Sequence, residues 1–166
     1  MAKVITFSKT FPAYHPKAGH STYFVEKFIK SFDNEEYEPS KNFITKTTAL
    51  GIQAWYNLTP KYHTIRSGKR WKKGEYFSPR IWSDKPYRSP MIKIAPDTLI
   101  TNVWDFEIKD GLILINNQVY AYSSSTELLD ALALNDGLSQ IHLLEWFKYP
   151  NDFKGQIICW NENVKY

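Results

Sequence analysis

The spacing of apolar positions changes several times along the chain, and each change predicts an element. Val4-Ile5-Thr6-Phe7 is short, β-branched and aromatic, the composition of a first strand. After a loop marked by Pro12, Pro16 and Gly19, Phe24, Val25, Phe28, Ile29 and Phe32 recur at helical spacing and predict an amphipathic helix over 21–32. Residues 33–41 are acidic and contain Pro39, an exposed-loop pattern, and β-branched residues over 43–48 predict a strand. Further strands are expected over 62–66, over 75–83 after the turn at Gly74, and over 91–95 after Pro90. From Val103 to Ile108 the chain alternates Trp104, Phe106 and Ile108 against Val103, Asp105 and Glu107, as a half-buried strand does. Leu112–Ile115 and Gln118–Tyr122 flank Asn116-Asn117, a pair that accepts positive φ, so 103–122 reads as an antiparallel meander.

Two helices and a strand complete the pattern. Ser124 with Glu127 three residues on is a capping box, Leu128, Leu129, Leu132 and Leu134 are the expected buried face, and Asp136-Gly137 is the expected stop. Ser139 is placed to cap a second helix whose apolar positions are Ile141, Leu144 and Phe147, with Pro150 past its end. Residues 155–160 form the last expected strand. Many short strands with a few helices imply an α+β fold, a small mixed or antiparallel β-barrel with flanking helices. The 166 residues fit one domain, 1–166, and the stretch from Pro12 to Lys41 reads as an insertion into it.

Composition narrows the class. Hydrophobic content of 43%, aromatic content of 16% and only seven glycines describe an ordered core rather than a disordered tail. Cys159 is the single cysteine, so no intrachain disulfide forms, which suits a reducing, cytoplasmic setting. The first residues lack the apolar run of a signal peptide, and no window approaches the ~20 apolar residues of a membrane span, so no membrane partner is expected.

Charge changes the picture more. Between Lys61 and Lys93 the chain carries a net +8, while the remaining residues sum to −4. The same stretch holds Tyr62, Trp71, Tyr76, Phe77, Trp82 and Tyr87. Cations interleaved with rings suit a ligand that has both phosphate and flat bases, so a nucleoside, nucleotide or RNA is the expected partner. Gly-rich phosphate loops and Gly-x-Ser-x-Gly elbows are absent, and Cys159 alone makes no zinc site. His15, His20, His63 and His142 are scattered, so neither a metal nor a cofactor is expected.

Lys61-x-x-Thr64-Ile65-Arg66, preceded by Ile5-Thr6-Phe7-x-x-x-Phe11, resembles the ASCH domain family of PUA-like β-barrels. The resemblance runs through Trp71-Lys72-x-Gly74, 77–83, Val103-Trp104-Asp105-Phe106, 135–139 and Gln156-Ile157-Ile158-Cys159-Trp160. It covers about two-thirds of the chain and leaves the segment from Pro12 to Pro60 without a clear counterpart. It implies a nucleoside- or RNA-related role, and for some bacterial members amidohydrolysis of N4-acetylcytidine by a lysine, a threonine and a carboxylate. Carried over, these fall on Lys61, Thr64 and Asp136, where the family enzymes have glutamate at the third position. Substrate contacts are expected from Arg66, Lys69, Arg70, Trp71, Arg80 and Tyr87.

The roles that the resemblance implies are consistent with what amide hydrolysis requires. An amide needs a nucleophile, a base and a donor for the developing oxyanion. Thr64 supplies a hydroxyl, Lys61 a base if burial or neighbouring cations lower its pKa, Asp136 a proton shuttle or a group to hold a water, and Arg66 a group to orient the substrate or polarise its carbonyl. Strand alternation puts Thr64 and Arg66 on one side and Lys61 and His63 on the other, so Lys61 meets Thr64 only if the strand begins after it, as Pro60 suggests. The competing reading is a binding module that uses the basic stretch without chemistry.

Overall fold

In a computed structural model, residues 2–32, 56–122 and 126–166 are described. The expected strand over 43–48, the acidic loop over 33–41 and the Ser124 cap lie outside the described residues. Strand β1 (Lys3–Thr6) runs parallel to β3 (Tyr76–Trp82), pairing Lys3 with Phe77 and Thr6 with Arg80. Antiparallel partners of β3 are β4 (Met91–Lys93) along its second half and the short β5 (Thr98–Leu99) along its first. A second, wholly antiparallel sheet has the order β2-β9-β6-β7-β8, from β2 (His63–Ser67), β6 (Asn102–Lys109), β7 (Leu112–Ile115), β8 (Gln118–Tyr122) and β9 (Phe153–Cys159). Helices α1 (Phe24–Lys30), α2 (Thr126–Asn135) and α3 (Gln140–Trp146) complete the α+β fold. Among the described residues, no strand of one sheet pairs with a strand of the other.

A cluster of rings joins the two sheets. Phe28 of α1 lies 4.8 Å from Phe7 and 5.1 Å from Trp160, and Trp160 lies 5.6 Å from Phe77. α1 is thus part of the core, shorter at both ends than the periodicity predicts. Phe106, Phe147 and Phe153 form a smaller group under α3. Burial of such rings is the main stabilising term, each worth a few kcal/mol.

Two helix faces differ from expectation. In α2 the buried residues are Leu129, Leu132 and Ala133, the i, i+3, i+4 set, whereas Leu128 and Leu134 face outward. In α3 the buried residue is Leu143, and Ile141 is exposed. In both, leucines and isoleucines outnumber the places the core has for them, so hydrophobicity alone overcounts the buried face. Ser139 holds the N-cap position of α3, but its hydroxyl makes no capping bond. Gly155, opposite Ser67 in the β2–β9 ladder, is required for space: a Cβ there would overlap the Arg66 carbonyl oxygen. Among the described residues no helix is long and apolar enough to cross a membrane.

Candidate active site

Backbone hydrogen bonds fix the two residues before β2 to two helices. The Lys61 N–H donates to the Lys27 carbonyl of α1 at 2.9 Å, and the Tyr62 N–H donates to the Asn135 carbonyl at the end of α2 at 2.8 Å. The strand begins at His63, so Lys61 escapes the alternation that would turn it away from Thr64. Both side chains line the same cavity.

α2 ends in a Schellman motif. The Leu138 N–H donates to the Ala133 carbonyl and the Gly137 N–H to the Leu134 carbonyl, each at 2.9 Å, and Gly137 takes φ +78°. This leaves Asp136 at the C-cap with a free carbonyl and a carboxyl group turned inward. Lys61 Nζ donates to that carbonyl and, at 2.7 Å, to Asp136 Oδ1. Lys27 Nζ donates to the Gly137 carbonyl at 2.6 Å. Two ammonium groups therefore meet the negative end of one helix. Gly137 is needed twice, for its positive φ and because a Cβ there would come within 3.3 Å of the Lys61 and Lys27 stems.

Lys61 and Asp136 are both buried, and the ammonium also sits 4.3 Å from the centre of the Phe24 ring. Burial pushes the Lys61 pKa down to about 8; Asp136 opposes this, while Arg66 and Lys27 add to it. For Asp136, burial alone would raise the pKa, but the Lys61 ammonium and the His63 ring outweigh it and hold the carboxyl below its ordinary value. The pair is ionised near neutral pH, with a lysine that loses its proton far more readily than a surface lysine.

The cavity has a volume of about 290 Å³, at the small end of ligand sites. Lys61, Thr64 and Asp136 share its wall with Thr6, Phe24, Arg66 and Trp146, and Trp82, Asp84 and Tyr87 also line it. Arg66 donates from Nη2 to the Thr6 carbonyl, while its Nε is buried with no hydrogen-bond partner. Among the described residues no carboxylate pairs with Arg66; Asp105 pairs with Lys69 at 2.5 Å. A half-buried guanidinium with an unused donor is a ready partner for an acceptor on a ligand.

Five of the nine sequence-predicted site residues thus come together: Lys61, Thr64, Arg66, Tyr87 and Asp136. The other four do not line the cavity. Trp71 is a core residue, its backbone N–H and carbonyl both bonded to the Gln156 amide, so its ring is unavailable to a ligand. Arg70 lies over the Trp71 ring at 5.3 Å, Lys69 is taken by Asp105, and Arg80 donates to Ser78 Oγ at 3.2 Å. Lys69 and Arg70 lie in the turn after β2 and Arg80 on β3 of the other sheet, so charges close in sequence do not gather at the cavity.

Three residues behind the pair were not anticipated. His63 is fully buried, with Nδ1 3.5 Å from Asp136 Oδ1 and Nε2 2.6 Å from the Tyr166 hydroxyl. Asn135 Nδ2 donates to the same hydroxyl at 3.0 Å. No signal in the sequence links Asn135 or Tyr166 to position 63, because the contacts arise only where β2 crosses the end of α2.

A second cluster forms where the sequence shows only isolated histidines. Glu145 Oε2 lies 3.4 Å from His15 Nε2 and 3.0 Å from His142 Nδ1. These atoms are close enough together to be metal ligands. However, the Lys17 N–H donates to His15 Nδ1 at 3.0 Å, which leaves the ring proton on Nε2 and that nitrogen without a lone pair for a metal. His15 Nε2–H donating to the His142 carbonyl at 3.3 Å and His142 Nδ1–H donating to Glu145 Oε2 at 3.0 Å account for the geometry.

No family model matches the sequence, and no similar protein of curated function and no similar solved structure was found.

Proposed function

We propose that this chain is a nucleoside- or RNA-related protein of the ASCH type, a PUA-like fold, that hydrolyses the acyl amide of N4-acetylcytidine. One observation carries the reading: a buried lysine with a lowered pKa is held 2.7 Å from a buried carboxylate in the wall of a cavity that a threonine also lines. The Lys-x-x-Thr-Ile-Arg likeness supplies the substrate class.

In the proposed reaction Lys61 acts as base in its neutral form, roughly a tenth of the population at pH 7 for a pKa of about 8. Thr64 Oγ attacks the acyl carbon while its proton passes to Lys61 Nζ. Collapse of the tetrahedral intermediate breaks the C–N bond, and the proton moves, by way of Lys61 and Asp136, to the departing cytosine amine. Water, deprotonated by Lys61, then cleaves the Thr64 ester and releases acetate. The unused donor of Arg66 orients the base or polarises its carbonyl.

Incubation with N4-acetylcytidine tests this directly. Cytidine release by the wild type, lost in Lys61→Met and Thr64→Val, is the expected result; absence of turnover by the folded wild type rejects the hydrolase.

The alternative is a non-catalytic reader of RNA or a modified base. It is favoured by Tyr87, 89% exposed and 5.2 Å from Trp82 beside the cavity, a pair suited to stacking on a base. It predicts binding that weakens steeply with salt, together with no turnover.

A further inference from the structure

We infer that His63 is a positioning residue, locked as its Nδ1–H tautomer by Tyr166 and Asn135 so that it faces and supports the same Asp136 carboxylate oxygen that Lys61 holds. This deepens the functional reading above and rests on it only for the activity measurements.

The proton positions follow from donor counting along a buried chain. Asn135 Nδ2 donates to the Tyr166 oxygen at 3.0 Å, which leaves the phenol O–H free to donate elsewhere. The nearest acceptor is His63 Nε2 at 2.6 Å. A nitrogen that accepts carries no proton, so the imidazole proton sits on Nδ1. Nδ1 is buried and makes no full hydrogen bond, and the acceptor facing it is Asp136 Oδ1 at 3.5 Å. The acceptor on one side of the ring and the donor on the other specify the same tautomer.

The phenol is held in place. Trp104 and Tyr120 meet the Tyr166 ring edge-on, with centroids 5.0 and 5.5 Å away. Burial also keeps His63 neutral, lowering its pKa against the pull of Asp136. The other titratable groups around the ring are Lys61, Tyr166 and Cys159, its partner across the β2–β9 ladder.

The N–H at 3.5 Å is too long for a full hydrogen bond while Lys61 holds Asp136. It matters more to the carboxylate whenever Lys61 gives up its proton, because the neutral amine still donates hydrogen bonds but no longer supplies a compensating charge. That is the state the base function requires. Without the N–H, Asp136 presents more of its charge to Lys61 and makes the ammonium harder to deprotonate.

The first measurement needs no substrate. Two-bond ¹H–¹⁵N NMR on the full chain, labelled in histidine, reports tautomer and protonation directly. The expected spectrum has His63 as a neutral Nδ1–H ring at pH 7 to 9, and in Tyr166→Phe it becomes a mixture of tautomers. A wild-type Nε2–H tautomer, or a Tyr166→Phe spectrum identical to wild type, overturns the inference.

The second measurement uses N4-acetylcytidine. Tyr166→Phe and His63→Leu are expected to move the midpoint of the pH–rate profile to higher pH, and His63→Asn, which keeps an N–H near Nδ1, to restore it. A purely structural role lowers the melting temperature and leaves the midpoint in place, and that outcome also overturns the inference. If the wild type shows no turnover at all, the hydrolase reading fails while the NMR result still decides the tautomer. Should Tyr166→Phe fail to fold, His63→Asn against His63→Leu carries the comparison.

Discussion

Two lysines of the same basic stretch, eight residues apart, each meet an aspartate, and the two pairs behave differently. Lys61–Asp136 is 2.7 Å long with side-chain exposures of 1% and 7%; Lys69–Asp105 is 2.5 Å long with exposures of 52% and 35%. The shorter contact is the weaker one. Lys69 and Asp105 keep most of their hydration, so forming the pair gains about 0–1 kcal/mol. Lys61 and Asp136 have lost theirs and depend on each other, on the α2 carbonyl end and on His63. A Lys61 pKa displaced to about 8 is the consequence. Burial, not distance, turns an ion pair into a candidate reactive site.

The largest expected effect is on turnover. Lys61→Met is expected to lower cytidine release from N4-acetylcytidine by at least about 10²-fold, the lower range for a lost general base. Lys69→Ala is expected to leave the rate unchanged; equal losses in both would erase the distinction between the pairs.

Next comes stability. Asp136→Asn leaves the buried ammonium uncompensated and is expected to cost about 3–5 kcal/mol in denaturant unfolding. Combining it with Lys61→Met is expected to recover much of that loss, since no unpaired charge then remains in the core. A double variant as unstable as the sum of the two would mean that the pair is not coupled.

The third effect is on pH. Lys61 works as a base when neutral, so kcat/KM is expected to rise with pH and level off above about 8. Stability has its own dependence. The folded Lys61 pKa lies below the ordinary 10.5, so the unfolded chain holds the extra proton between about 8 and 10.5, and this group's contribution to stability rises with pH across that window. Asp136 acts at the other end: its folded pKa is depressed, so its contribution is complete above its ordinary value of 3.8 and is lost as pH falls through the folded value.

The smallest effect sharpens the comparison. Lys69→Ala is expected to change unfolding free energy by less than about 1 kcal/mol, and the difference should shrink in high salt. The Lys61 midpoint is expected to stay nearly constant over the same salt range because counterions do not reach it.

Much of the scaffold was legible from residue patterns. The 103–122 meander follows from alternation and from Asn116-Asn117, which adopt φ of +51° and +63°. The stop at Asp136-Gly137 follows from the only residue type that enters αL without strain. Less was legible at the site. Trp71 reads as a surface ring because cations flank it, yet it fills the core, and Leu128 reads as core yet faces outward. Both errors have the same origin: local composition does not say which side of an element the rest of the chain will cover.

The sequence by itself determined most of the described elements, the α2 stop, and the presence of a lysine, a threonine and an aspartate of suitable chemistry, because these depend on residue type and short-range spacing; the short β5 was not among them. Only the tertiary structure decided that Lys61 is buried, that Asp136 faces it, that His63 and Tyr166 stand behind Asp136, and that Lys69, Arg70 and Arg80 do not line the cavity. Desolvation is the reason: it depends on what distant segments exclude water from, and no local pattern encodes it.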